Sequence, residues 1–230
     1  AMAWTISDES FMQGLDPVLS YLNLRLSYGS TGNQSISPYQ TLGGLSNEVY
    51  NFGDLGVVGY YPNKIPNPDL RWERTTSFNI GFDLGFFKDH ITANVELYRS
   101  MTKDLILERQ LPNSTGFSSF LTNIGETRNT GVEVMLSTIN VHAGDFHWSS
   151  DITFALNRNE IVDLYGTGED EPGSKWFIGH PIKVFYDLDW SGIWQLGEED
   201  EAAVYGKKPG DIHFIDQDNN GEINADDRVI

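Results

Sequence analysis

A short acidic stretch near the end of the chain has the spacing of a calcium-binding loop. Asp216, Asp218 and Asn220 stand at its first, third and fifth positions, with Gly221 at the sixth and Asp227 at the twelfth. Calcium prefers hard oxygen ligands, and in such loops the seventh position offers its backbone carbonyl while the ninth acts directly or through water. The candidate calcium ligands are therefore Asp216, Asp218, Asn220, Glu222, Asn224 and Asp227.

Two interpretations of this stretch remain open. Asp at the twelfth position, where such loops usually carry Glu, shortens the reach of the last ligand. The preceding residues, Pro209–Ile215, predict a turn and a strand, so a pair of EF-hand helices is not expected. Without calcium, the same residues would form an Asx-rich turn whose side chains bind their own backbone. With calcium, the ion would hold the loop in one conformation. Calcium is the one candidate cofactor, and we do not expect the chain to require it.

Other reaction chemistry finds little support in the sequence. There is no cysteine, which excludes disulfides, thiolate metal sites and thiol nucleophiles. The five histidines are scattered, and no pair has the spacing of a zinc-binding helix. Acidic residues are abundant, but no two stand out as the acid and base of a glycoside hydrolase. We therefore expect that the chain is not an enzyme.

The charge balance limits the partners. The chain has 33 acidic and 15 basic residues, a formal net charge of -18, which argues against binding to a nucleic-acid backbone. Hydrophobic residues make up 39%, enough to bury apolar surface. The negative mean hydropathy does not oppose a membrane β-barrel, because its strands alternate and average to a polar composition.

Alternating apolar and polar residues predict two-faced β-strands. Apolar side chains occupy every second position of Leu22–Tyr28, and the longest such run is Phe146–Asn157. The alternation is broken only in the last aromatic stretch, near 179–194. We predict strands near residues 21–28, 75–85, 91–99, 130–139, 146–157 and 179–194.

The length of these runs and their connections favour a membrane barrel. Sandwich strands usually have about 5 to 6 residues, whereas alternation over about ten or more matches a tilted strand crossing an apolar band about 25 Å tall. Short turns at Phe86–His90 and Asn140–Asp145 contrast with long connections at Gly29–Arg74 and Ser100–Thr130. Aromatic residues flank both short turns. The predicted fold is all-β: a sector of an antiparallel transmembrane β-barrel with short periplasmic turns and long extracellular loops.

An ordered set of sequence phrases resembles one family. The first three are SYGSTGNQ, NPDLRWE and NIGETRNTGVE, at 27–34, 67–73 and 123–133. The others follow at 157–164, 179–182, 209–212 and 216–228. Together they span residues 21–230 and are similar to the SusC/RagA family of TonB-linked outer-membrane proteins of Bacteroidetes.

This resemblance implies a function and a set of partners. Family members import glycans or peptides through a plugged barrel, together with a surface lipoprotein of the SusD type, and draw energy through TonB. The implied location is the outer membrane, in contact with its lipid. The TonB contact belongs to an N-terminal part that we expect to be missing here, together with the plug and the last strands, since a membrane barrel needs at least about 8 strands.

The sequence also suggests a division of the chain. We expect residues 1–20 to be a lead-in segment, in which 1–3 could be a vector remnant, and 21–230 to be one partial β-barrel domain. The calcium-loop-like segment, 216–227, lies at its end.

Aromatic residues in the predicted loops are candidates for substrate binding, because rings stack on sugars and their polar atoms form hydrogen bonds. The alternative is that they pack the loops together or against a lipoprotein lid. The competing function is a soluble extracellular all-β module that binds carbohydrate and holds a calcium-stabilised loop. The candidate rings are Tyr39, Tyr50, Tyr60, Tyr61 and Trp176.

Overall fold

The computed structural model describes residues 1–15, 18–34 and 36–230. Its strands are β1 (Met2–Thr5), β2 (Leu19–Asn33), β3 (Gly44–Phe52), β4 (Leu55–Lys64), β5 (Glu73–Phe86), β6 (Ile91–Gln110), β7 (Ser119–Ala143), β8 (Phe146–Leu164), β9 (Asp187–Leu188), β10 (Trp190–Ile193), β11 (Ile212–Phe214) and β12 (Arg228–Val229). The α-helix is α1 (Glu199–Val204), and short 3-10 helices lie at Ile6–Asp8, Ser10–Leu15, Asn113–Thr115, Pro172–Ser174 and Ala225–Asp227. Strands thus dominate, as the alternation predicts.

The chain divides into two compact units. The first comprises Ala1–Asp170 and Phe177–Pro181, and the second comprises Glu171–Trp176 and Ile182–Ile230. Residues 21–230, expected to form one domain, thus fall into both compact units. The second unit has only short strands, because its sequence lacks the sustained alternation that builds the first.

A six-stranded antiparallel sheet forms the first unit, in the order β1-β2-β5-β6-β7-β8. Pairing of β5 with β6 is unbroken from Arg74 opposite Lys103 to Phe86 opposite Ile91. Because side chains alternate between faces, one register fixes which residues share a face across all strands. Part of the predicted lead-in segment belongs to this sheet: β1 pairs with β2, while residues 16 and 17 lie outside the described residues.

The strands extend well beyond the predicted bounds. The connection predicted over 100–130 is mostly β6 and β7, which stay paired as far as Gln110 opposite Ser119. In this part the two-residue alternation is lost, because Leu105, Ile106 and Leu107 are consecutive and the pairing with β7 shifts register between Thr102 and Ile106. Alternation predicts a strand only where apolar and polar residues take turns, so these extensions gave no signal.

A two-stranded hairpin lies within the other long connection, predicted over 29–74. Strands β3 and β4 pair from Gly44 opposite Lys64 to Phe52 opposite Leu55. Their short turn contains Gly53, whose positive φ of 63° suits glycine. Ser35, earlier in this connection, lies outside the described residues.

The strand predicted near 179–194 is wrong in its extent. Only β9 and β10, of two and four residues, form there. The broken alternation, with Pro181 and two aspartates inside the segment, explains why no continuous ladder forms.

A small aromatic core organises the second unit. Trp194 is 6% exposed, and its ring stacks on His213 with centroids 3.7 Å apart and on Tyr205 at 6.0 Å. Helix α1 buries Ala202 completely. Acidic residues fill its first turn, where they favour the positive end of the helix dipole. Within the described residues, no helix has the length and hydrophobicity needed to cross a membrane.

Candidate functional site

One face of the sheet in the first unit is apolar across five strands, β2 and β5–β8. Side chains that pair across these strands form three successive rows at its centre. The rows are Leu22, Leu84, Ala93, Leu136 and Ile152; Leu24, Phe82, Val95, Val134 and Phe154; and Leu26, Ile80, Leu97, Val132 and Leu156. We call this surface the apolar face. Its outer strand stays exposed, with Phe154 at 56%.

The opposite face, which we call the polar face, is lined by hydroxyls, amides and charges. Its rows alternate with the apolar ones in the same register. They include Asn23, Asp83, Asn94, Met135 and Thr153; Arg25, Gly81, Glu96, Glu133 and Ala155; and Ser27, Asn79, Tyr98, Gly131 and Asn157. A sheet of this kind can separate hydrocarbon on one side from water on the other.

An ion-pair cluster lies on the polar face. The guanidinium of Arg25 binds Asp83 at 2.9 and 3.1 Å and Glu96 at 2.5 Å. Asn94 donates to the same Asp83 carboxylate at 2.6 Å. Gly81 leaves space for this group, since a Cβ there would lie 2.9 Å from the Arg25 nitrogen. Sequence analysis missed this cluster, although combining the alternation with the strand register would have brought its members together.

Neutral side chains continue the polar face beyond this cluster. Ser77 donates to Ser100 at 3.1 Å, and Asn79 donates to Ser27 at 3.1 Å. Hydroxyls and amides of this kind exchange hydrogen bonds readily with water, sugar hydroxyls or peptide groups. The polar face can therefore line a wet passage.

The predicted calcium loop, in the second unit, is a compact turn held by carboxylates. Asp216 accepts hydrogen bonds from the backbone N–H of Gly221 at 2.8 Å and of Asn220 at 3.2 Å. Asp218 accepts from Asn220 at 3.0 Å, and Asn220 accepts from the N–H of Glu222 at 2.7 Å. Gly221 has a φ of +86°, which explains the glycine at the sixth position.

Asp227 closes the loop from its far end. It is completely buried, and its two oxygens accept from the N–H groups of Gln217 and Asn224, both at 2.8 Å. Asn224 in turn accepts from the N–H of Asp226 at 2.7 Å. Carboxylate oxygens of Asp216, Asp218 and Asp227 lie within 4.8 Å of one another. Three of the six predicted ligands therefore already converge through carboxylates.

The electrostatics of the loop favour a charged Asp216. Desolvation acts to raise its pKa, but the backbone N–H of Gly221, the interaction with the Asp218 side chain, the N–H of Asn220 and the Tyr205 hydroxyl outweigh it, so the pKa lies below the usual value. The pKa of Tyr205 is raised by desolvation and by the charge of Asp216. Its hydroxyl donates to Asp216 at 3.3 Å, which ties the loop to the Trp194 core.

The structure does not gather the predicted substrate-binding rings at one point. In the β3–β4 hairpin, Tyr50 and Tyr61 share a face, whereas Tyr60 points to the other. The ring of Tyr50 lies 2.6 Å from the position that a Cβ of Gly59 would occupy. Tyr39 occupies a turn and is 83% exposed.

Trp176, the fifth predicted ring, belongs to the second unit. Its backbone exchanges hydrogen bonds with Glu171, at 2.8 and 3.0 Å, in a tight turn. The side chain is half-buried. A packing role and a binding role are both compatible with these positions.

Comparison with known proteins identifies relatives over nearly the whole chain. The family model for the TonB dependent receptor-like β-barrel matches residues 9–225. TonB-dependent receptor P26 of Formosa agariphila is 34% identical over 241 residues, covering 100% of this chain and 24% of the relative. TonB-dependent receptor SusC of Bacteroides thetaiotaomicron is 33% identical over 249 residues, with the same coverage.

Solved structures give the same result for the fold. The RagAB peptide importer in its open-open state matches with a TM-score of 0.78 and 28% identity, over 98% of this chain and 24% of that one. The RagAB peptide transporter matches with a TM-score of 0.74 and 27% identity. The chain thus spans about a quarter of the length of these relatives, which are named as receptors and transporters rather than enzymes. Both the resemblance to SusC and RagA and the predicted barrel fold are confirmed, and the chain belongs to the TonB-dependent receptor-like β-barrel family.

Proposed function

We propose that the chain forms part of the wall of a TonB-dependent outer-membrane importer. The observation that carries this proposal is the sharp division between the apolar face and the polar face over five long strands. These strands have 14 to 25 residues and are longer than the usual strands of a soluble β-sandwich. In a barrel, the apolar face contacts lipid and the polar face lines the lumen.

The polar face suits a hydrophilic cargo, so we propose glycans or peptides as the substrates. Its hydroxyls and amides can replace the hydrogen bonds that such a solute makes with water. The description of one structural relative as a peptide importer supports the peptide class, and glycans are the class that the family resemblance implies. Tyr39, Tyr50, Tyr60, Tyr61 and Trp176 remain predicted substrate contacts.

The partners follow from the same proposal. A surface lipoprotein of the SusD type would assist cargo capture, and TonB would supply energy through a part of the protein outside this chain. The similarity to SusC and RagA supports a source in a Bacteroidetes-like outer membrane. The soluble carbohydrate-binding module is the weaker candidate, because its wide apolar face would be exposed to water.

Fractionation of cells that make the full-length protein tests this proposal. We expect the protein in the outer-membrane fraction, resistant to extraction by alkaline carbonate and soluble only with detergent. Deleting its gene should abolish growth on one oligosaccharide or peptide source while leaving growth on the monomers unchanged. A protein that remains monodisperse in buffer without detergent would contradict a barrel.

We also propose that the loop at 216–227 binds calcium. Asp216, Asp218 and Asp227 provide convergent carboxylates, and each oxygen that accepts one N–H keeps a second lone pair for a cation. Asn220 and Asn224 would add amide oxygens and Glu222 its backbone carbonyl, as the spacing predicts. The ion would rigidify the loop rather than open a helix pair.

Calorimetric titration of the full-length protein with calcium tests this second proposal. We expect one binding event that is lost in Asp218→Ala, whose side chain is exposed. Asp226→Ala is the matched control, because this neighbouring acid is not among the predicted ligands. Equal calcium binding by both variants would contradict the assignment.

A further inference from the structure

Basic residues gather where the apolar face ends. On strands β5–β8, the apolar rows are followed by basic residues on the same face, at the end far from the short turns. We call this group the basic ledge: Arg74, Arg99, Lys103, Arg128 and Arg158. The whole chain has only 15 basic residues and a net charge of -18. The concentration of five of them on one end of one face therefore runs against the overall charge.

Two members of the ledge form ion pairs within the described part of the chain, and the other three, Arg74, Arg99 and Arg158, do not. Arg128 pairs with Glu160 at 2.5 Å, and Lys103 pairs with Glu126 at 3.3 Å. Arg99 and Arg158 make no ion pair with any residue that the structure describes, and both are exposed. They stand in one row, on either side of Thr130. Two strand spacings separate them by about 10 Å, within reach of two long side chains that converge on one anion.

An apolar groove leads to these two arginines. Its volume is about 400 Å³, and its lining includes Ile80, Leu97, Val132 and Leu156 together with Arg99 and Arg158. Tyr28 and Phe78 continue the arginine row on the other side, and they are 72% and 44% exposed. Aromatic rings at this level are typical of the boundary between hydrocarbon and headgroups. The groove thus has an apolar part that can hold an acyl chain and a positively charged end formed by the two arginines.

We propose that Arg99 and Arg158 bind the phosphate of an anionic membrane lipid, whose acyl chain lies in the groove. Guanidinium groups bind phosphate oxygens through paired hydrogen bonds, with a planar fork that lysine lacks. A free phosphate would use the arginines but leave the apolar groove exposed to water. A neutral lipid would fill the groove but leave both charges without a partner. Only a ligand with both parts satisfies the whole site.

The assignment rests on the proposed function in one respect, since it needs the apolar face to contact lipid. The experiment uses the full-length protein in detergent micelles and native mass spectrometry to count bound lipids. Phosphatidic acid is the probe, and diacylglycerol with the same acyl chains is the neutral reference. We expect Arg99→Gln/Arg158→Gln to weaken phosphatidic acid binding at least 10-fold, while diacylglycerol binding stays the same.

The matched control is Lys88→Gln, which removes one exposed positive charge at the short turn between β5 and β6. It should bind phosphatidic acid as the unaltered protein does. Unchanged phosphatidic acid binding by the double variant would overturn the lipid site. Release of the lipid by millimolar inorganic phosphate would overturn it as well, because the arginines would then recognise phosphate without the lipid.

Failure of this inference and failure of the proposed function give different results. A full-length protein that binds no detergent would contradict the barrel itself. A protein that binds detergent but shows no dependence on Arg99 and Arg158 would contradict the lipid-phosphate site alone.

Discussion

The two units are stabilised by opposite means. In the sheet, the side chains of one face are apolar, and the strands are joined by backbone ladders, with side-chain hydrogen bonds added on the polar face. In the second unit, buried Asp227 and its neighbours accept backbone N–H groups directly, around the small Trp194 core. The stability of the sheet should therefore depend on what its apolar face contacts. The stability of the loop should depend on single carboxylates.

The largest expected effect distinguishes the two faces of the sheet. Val134→Arg places a charge at the centre of the apolar face and should lower the free energy of unfolding by about 2–4 kcal/mol, the cost of arginine at the bilayer midplane. Glu133→Arg, one residue earlier but on the polar face, should change it by less than about 0.5 kcal/mol. Urea unfolding of the full-length protein in lipid measures both. Equal effects would contradict the assignment of faces.

A slightly smaller effect is expected from the buried carboxylate of the loop. Asp227→Ala leaves the N–H groups of Gln217 and Asn224 without their acceptor, at a local cost of about 2–3 kcal/mol. Hydrogen exchange without calcium should accelerate at 216–227 and stay constant in the sheet. Asp218→Ala is the control and should open the loop less, because this side chain is exposed, whereas Asp227 is buried. Faster exchange throughout the sheet would contradict the independence of the two units.

Glycines on the polar face provide a third comparison. A Cβ at Gly131 would lie 2.3 Å from the ring of Tyr98, so Gly131→Ala should cost about 1–2 kcal/mol through overpacking. Gly29→Ala, also in a sheet strand, meets nothing within 4 Å and should be close to neutral. Adding Tyr98→Ser should restore the stability of Gly131→Ala, as unfolding of the double variant would show. No recovery would mean that backbone strain, not the ring, causes the loss.

The smallest effect is the pH dependence of the loop. Because the pKa of Asp216 is lowered in the folded state, its charged form contributes stability above the ordinary carboxyl pKa. That contribution is lost as the pH falls through the lowered pKa. The protection of the Gly221 amide, which donates to Asp216, should fall over this acidic range when its exchange rate is compared with the intrinsic rate at each pH. In Asp216→Asn the pH dependence should disappear, and its persistence would assign the effect to another group.

The same contrast explains what could be predicted from the sequence. Alternation in Leu22–Tyr28 and Phe146–Asn157 identified β2 and β8 and the barrel class, because one face must be apolar. Alternation did not predict the hairpin β3–β4 or the outer parts of β6 and β7, because both faces of these segments carry a mixture of apolar and polar residues. The loop spacing led to Asp216, Asp218 and Asp227, which do converge. Cross-strand groups such as Arg25 with Glu96 required the register, which single-sequence patterns do not contain.

In the proposed barrel wall, the sheet separates lipid from an aqueous lumen. Single cysteines at positions 132–137 of β7, in full-length protein reconstituted into lipid, test this separation, since this chain has no cysteine of its own. Spin labels at 132, 134 and 136 should be relaxed by oxygen dissolved in lipid, and those at 133, 135 and 137 by a water-soluble nickel complex. Equal access of the nickel complex to all these positions would contradict the assignment of one face to lipid and the other to water.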